Sequence, residues 1–223
     1  MGASGGFPID LVLFGMIAAF LVLRLRSILG KRTGLERQAP PVQPAPVRPA
    51  AGPIIDAKVE PQAAAAPQTV PEPTSRSGQA LARMREQDPN FDPARFLAGA
   101  EQAFKMILGA FAAGDRVALR PLLADETYAA FEQAISAREK AGETQVSEVK
   151  SMQHLSIDDA ELKGRVGSVT ARIVSDQISY TKDKNGRPLT GTDAVTEITD
   201  LWTFERDLSQ PDPTWRLVAA RSG

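Results

Sequence analysis

Few residues in this chain are equipped for chemistry. The 223-residue sequence has no cysteine and a single histidine, His154. Thiol nucleophiles, disulfide scaffolds and thiolate zinc sites are therefore excluded, as are multi-histidine metal centres. General acid–base catalysis needs a carboxylate or imidazole whose pKa is shifted among apolar groups. Asp200 is the best placed for that, because it is even-numbered like Ile198, Trp202 and Phe204 and shares their side of a strand. An Asp in this position also commonly pairs with an Arg or sits at a strand edge. Asp158-Asp159-x-Glu161 and Asp183-Lys184-Asn185-Gly186 lack the spaced oxygen ligands of a calcium loop. Gly30-Lys31 lacks the upstream glycine and strand of a phosphate-cradling loop. The sequence thus reads as a non-enzyme, with no catalytic residue, no metal and no cofactor.

What remains is binding. Phe104, Phe111, Tyr128, Phe131, Ile198, Asp200, Trp202, Phe204 and Trp215 are the candidates for a pocket or partner-binding face. The aromatic members also suit an ordinary core. Periodicity shows that a face is apolar and leaves open whether the space above it is filled.

The elements that must position these residues lie in the second half of the chain. Asp92-Pro93 is a helix start, an N-cap followed by proline at the first position. Phe96, Ala100, Phe104, Ile107, Leu108 and Phe111 then form one helical stripe, with Gly99, Lys105 and Gly109 opposite, and Gly114-Asp115 stops the helix. A short piece follows over Arg116–Leu123, and then a third helix capped by Asp125 that carries Tyr128, Phe131 and Ile135 on one face and ends near Gly142. Upstream, Gln79–Gln87 has the makings of one or two helical turns ended by Asp88-Pro89. After Gly142 the period becomes two, predicting strands over Val146–Leu155, Arg165–Tyr180, Val195–Arg206 and Thr214–Ala220. Asp158-Asp159 and Asn185-Gly186 are the expected turns. Apolar residues in the second strand switch from odd (Val169, Ala171, Ile173) to even (Ile178, Tyr180), which predicts a bulge near Val174–Asp176. The expected fold is α+β, with helices on one face of a curved four-stranded antiparallel sheet.

The first 89 residues have a different character. Leu11, Val12, Leu13, Phe14, Ile17, Phe20, Leu21, Val22 and Leu23 belong to an uncharged run of 13 residues, Leu11–Leu23. With Phe7 and Pro8 before it and the snorkelling stems of Arg24 and Arg26 after it, the run reaches roughly 26–30 Å as a helix, near the hydrocarbon thickness. A secretory signal would carry its basic residues before the apolar core, and a transit peptide would be Arg-rich from the start. Here Arg24, Arg26, Lys31 and Arg32 all follow it. Residues 1–35 are therefore read as a transmembrane anchor with a basic cytoplasmic flank, in preference to a buried core helix. Residues 36–89 are read as a disordered Pro/Ala-rich linker. Ten prolines fall in 36–78, and no aromatic residue occurs between Phe20 and Phe91, so the stretch has little to bury. Extended polyproline would let it span up to roughly 100 Å. Proline-rich docking motifs are the alternative use of such a stretch.

Residues 90–223 hold 16 Lys/Arg against 20 Asp/Glu, a balance of −4. That argues against a nucleic-acid partner, which a basic surface would attract. The preceding residues hold 10 against 7. Their basic excess lies beside the expected bilayer, where it would meet anionic lipid.

The order of these parts, with Phe104 to Asp115, Leu119 to Leu123, Trp202-Thr203-Phe204-Glu205-Arg206 and Trp215-Arg216-Leu217, resembles the Tim forty-four (Tim44) family of inner-membrane adaptors in its bacterial, TimA-type form. The resemblance covers roughly residues 90–223 plus the upstream layout. It implies a cone related to the nuclear transport factor two-like fold, with helices on a curved sheet around an apolar pocket. Mitochondrial members tether the heat-shock chaperone of the import motor and associate with anionic lipid such as cardiolipin. The chaperone-binding region of those members is largely the part that does not match here. The expectation is a single-pass protein of the bacterial inner membrane, its C-terminal domain in the cytoplasm. There it would recruit a protein partner, such as a chaperone or membrane-protein complex, for membrane-protein biogenesis, translocation or quality control. The alternative is a lipid- or apolar-ligand-binding module at the membrane surface.

Overall fold

Ser75 and Asp92 each place a side-chain oxygen on a backbone N–H three residues ahead, and each starts a helix. Ser75 caps α1 (Arg76–Gln87) through Gly78 N, and Asp92 caps α2 (Pro93–Ala113) through Arg95 N. α2 ends at Gly114, whose φ of 72° is the left-handed conformation of a glycine C-cap. α3 (Arg116–Leu119) and α4 (Asp125–Ala141) follow. Ala124 takes the N-cap position of α4 without a side-chain bond, so Asp125 is the first helical residue and not the expected cap. In this computed structural model residues 66–222 are described. The expected anchor over 1–35, with its apolar run and basic flank, and the linker up to residue 65 lie outside the described residues. No helix among the described residues is long and apolar enough to cross a membrane.

Among the described residues the sheet has five strands, in the order β1 (Gln68–Thr69), β2 (Thr144–Lys163), β3 (Val166–Lys182), β4 (Pro188–Asp207), β5 (Arg216–Ser222). This corrects the four-stranded expectation. β2 to β5 form an antiparallel meander, but β1 joins the outer edge of β2 in parallel, Gln68 beside Leu155 and Thr69 beside Ser156. β1 comes from the Pro/Ala-rich stretch, where two strand residues among prolines leave no period to detect. The same stretch supplies α1, a 12-residue helix longer than the one or two turns expected.

Two further expectations are corrected. Asp158-Asp159 is not a turn. It lies within β2 beside a register shift, where Asp159 accepts bonds from Ser77 Oγ (3.1 Å) and Ala160 N (2.9 Å), and the chain reverses instead around Gly164. Nor does β3 carry a bulge. Its odd residues stay buried from Gly167 through Thr181, and the irregularities against it skip residues of β2 and β4. The apolar residues change sides while the backbone keeps its phase. The inner face turns polar at Ser175, Gln177, Ser179 and Thr181, all buried.

The helices cover the inner face. Phe104 meets Trp202 edge-on with centroids 4.7 Å apart, and Phe111 meets Phe131 at 5.0 Å, so both pairs fill the core between helices and sheet. Gly167 in β3 lies beneath α1 and Trp215, and a Cβ there would come within 3.2 Å of Met84 Sδ and of the Trp215 ring. Arg138 of α4 fastens the end of α2. It donates to the carbonyls of Phe111 (2.7 Å) and Ala112 (3.1 Å) and to Gln145 Oε1 (2.6 Å).

Candidate functional site

The turn between α1 and α2 buries Phe91, and the first two turns of α2 bury Phe96 and Ala100 while leaving Arg95 and Gly99 exposed. Opposite them, the loop from β4 to β5 brings Pro211, Pro213, Thr214 and Trp215 alongside. The space between is an open cleft of about 570 Å³. Aromatic rings form its base. Trp215 lies 5.6 Å from Phe91 and 5.0 Å from Phe96, and Phe96 lies 5.9 Å from Phe204. Leu122 also lines it, and Met106, 55% exposed, stands on the α2 side.

Charge pairs hold the walls. Arg206 Nη1 binds Asp88 Oδ2 at 2.9 Å with both side chains only 12% exposed, and its Nε donates to Asp212 O at 2.9 Å. One guanidinium therefore joins β4, the α1–α2 turn and the β4–β5 loop. Asp92 caps α2 and also accepts from Arg85 Nη2 at 3.1 Å. The Asp212 carboxyl is held below its ordinary value, first by the Thr214 hydroxyl and then by the Thr214 N–H. That ionised Asp orders the loop beside the cleft.

Of the nine candidate residues, Phe204 and Trp215 line this cleft. Phe104, Phe111, Phe131 and Trp202 are packed in the core. Tyr128 is half-buried on α4, with the Arg120 guanidinium 4.9 Å from its ring centre. Ile198 is half-buried on β4. Asp200 does face inward, fully buried, and its Oδ2 accepts from Gln177 Nε2 at 3.0 Å, which also donates to Ser175 Oγ at 2.9 Å. His154 lies on the outer side, its Nε2 3.2 Å from Thr69 Oγ1 of β1. Among the described residues no group of three or more His, Cys, Asp or Glu side chains is placed to hold a metal ion. Sequence reasoning missed Phe91, Arg95 and Met106 as cleft residues. The available signal was Gly99 on the non-core side of a long helix, where glycine has no local use.

The sequence profile of the Tim44-like domain matches residues 77–222. The chain belongs to the Tim44-like family. No curated protein matches it in sequence. Among solved structures, the intermembrane-space region of the chloroplast protein ARC6 is similar with a TM-score of 0.42 and 13% identity, over 60% of this chain and 98% of that one. An NTF2-like family protein from Streptomyces avermitilis is similar with a TM-score of 0.36 and 13% identity, over 58% of this chain and 97% of that one. The Tim44-like match begins inside α1 and ends in β5, so it takes in every element that lines the cleft.

Proposed function

We propose that the chain is a membrane-associated, non-enzymatic adaptor whose Tim44-like domain holds a protein partner in the cleft between α2 and the β4–β5 loop. The observation that carries this reading is the cleft itself: an open, aromatic-floored space in which the charged wall residues Asp88 and Arg206 bind each other. Open apolar surface bounded by polar groups is the ordinary form of an interaction site. The anchor read from residues 1–35 would keep the domain at the cytoplasmic face of a bacterial inner membrane. Tethering there raises the local concentration of a weakly binding domain near its membrane partners. A chaperone or a membrane-protein complex suits that position.

Affinity capture of the full-length protein from gently solubilised native membranes, with and without ATP, tests the proposal when followed by protein and lipid mass spectrometry. The expected result is a stoichiometric protein partner that is lost in Gly99→Leu, a substitution that fills the cleft without touching the core. ATP-dependent release would mark the partner as a chaperone. A protein recovered bare with one class of lipid would overturn the adaptor reading in favour of a lipid-binding module.

A further inference from the structure

Resting on the adaptor reading, we infer that the element seated in the cleft is an amphipathic α-helix that carries an acidic residue, packed along α2 with its carboxylate on Arg95. The cleft's charges supply the first argument. Four charged residues line it: Asp88, Asp92, Arg95 and Arg206. Asp88 is bound to Arg206, and Asp92 to Arg85. Arg95 is left over, exposed at the mouth and in no ion pair among the described residues. The charge that completes the site is negative, and it sits one helical turn from Gly99 on the same face.

Backbone supply is the second argument. The cleft offers no free strand edge. Phe204 and Arg206 are the cleft's strand residues: β3 pairs with both, Val169 beside Phe204 and Gly167 beside Arg206, and β5 pairs with the other edge as far as Glu205, Leu217 beside Phe204 and Arg216 beside Glu205. An extended peptide would find no ladder to join there, whereas a helix satisfies its own N–H and C=O groups and needs to bury only side chains. The wall it would meet has helical spacing. Gly99, Ala103 and Met106 follow one another at intervals of four and three along α2, and a Cβ built on Gly99 meets nothing within 4 Å. A helix about 10–12 Å across cannot enter a space of this size bodily. A ridge of its apolar side chains can enter, and the missing side chain at Gly99 lets the two axes approach closely.

A photocrosslinking residue at Gln102, on the cleft side of α2, tests this in the full-length protein in native membranes. The adduct is mapped by peptide mass spectrometry. The expected adduct is a peptide with apolar residues three and four apart and an Asp or Glu within one turn of them. It should fall at least tenfold in Gly99→Leu and in Arg95→Glu and persist in Arg95→Lys, all three retaining the parent's urea midpoint or exceeding it. A protein adduct indifferent to Arg95→Glu, or one mapping to a proline-broken segment, overturns this inference and leaves the adaptor reading standing. An adduct with lipid alone, or none, overturns both.

Discussion

Asp88 and Arg206 form the pair on which the cleft's walls depend, and because each side chain is only 12% exposed, removing one partner strands the other's charge. Arg206→Met leaves the Asp88 carboxylate nearly buried without its cation and is expected to cost about 3 kcal/mol. Asp88→Asn combined with Arg206→Met should cost clearly less than the sum of the singles, a non-additivity that urea denaturation can measure. The same logic warns against truncating Trp202 to test binding. Trp202 is fully buried against Phe104, so its replacement by Ala removes core and is expected to cost about 3–5 kcal/mol. The inward direction of Asp200 was legible from strand parity alone. That Trp215 faces a cleft while Trp202 faces the core was not, because both sit in strand-like stretches and only the β4–β5 loop separates their surroundings.

For α2, the sequence pattern located the start, the stop and the buried stripe, because capping chemistry and helical period are local. Its bare outer face carries a testable cost. Gly99 and Gly109 are exposed inside a 21-residue helix, and a Cβ on either meets nothing within 4 Å. Gly99→Ala and Gly109→Ala should each stabilise the isolated protein by about 0.5–1 kcal/mol in urea unfolding. A loss of stability would mean that the space beside the helix is not open. The strands were less legible. Asp158-Asp159 has turn composition, yet the Ser77 hydroxyl of α1 occupies the Asp159 carboxylate and β2 runs on. The change of apolar parity in β3 was real, but its cause is a polar inner face and not a slipped backbone. Gly167 was unremarkable in sequence because the atoms that crowd it come from α1 and from Trp215. Gly167→Val should destabilise by about 1–3 kcal/mol through overpacking, as thermal unfolding would show.

At the scale of the molecule, acid should loosen the domain through carboxyls spread along it, on α4, at the end of β4 and in the β4–β5 loop. Glu139 is held below its ordinary value mainly by its bond to Arg116, Asp125 by Arg120, Asp207 by the Ser209 hydroxyl and Asp212 by the Thr214 hydroxyl. Each is a carboxyl whose folded pKa is depressed. Its contribution is complete above the unfolded value, about 3.9 for Asp and 4.3 for Glu, and is lost as pH falls through the folded value. The urea midpoint should therefore stay flat from about pH 7 to 5 and decline below about pH 4. A midpoint that rose on acidification would contradict these pairings. The α+β class was readable over the described part of residues 90–223 because period and capping need no distant contact. The fifth strand and the cleft were not, because each joins segments far apart in the sequence.

The parallel pairing of β1 has a mechanical consequence. β1 is stitched to the middle of the 20-residue β2, where Pro67 O accepts from Leu155 N at 3.0 Å and Thr69 meets His154. A load drawn through the upstream chain falls first on this short seam, and α1 with its cap at Ser75 comes next in line. The meander from β2 to β5 and the aromatic cleft stand behind both. With the chain held upstream as proposed, this two-residue seam would be the first contact to part, ahead of the meander that carries the binding surface.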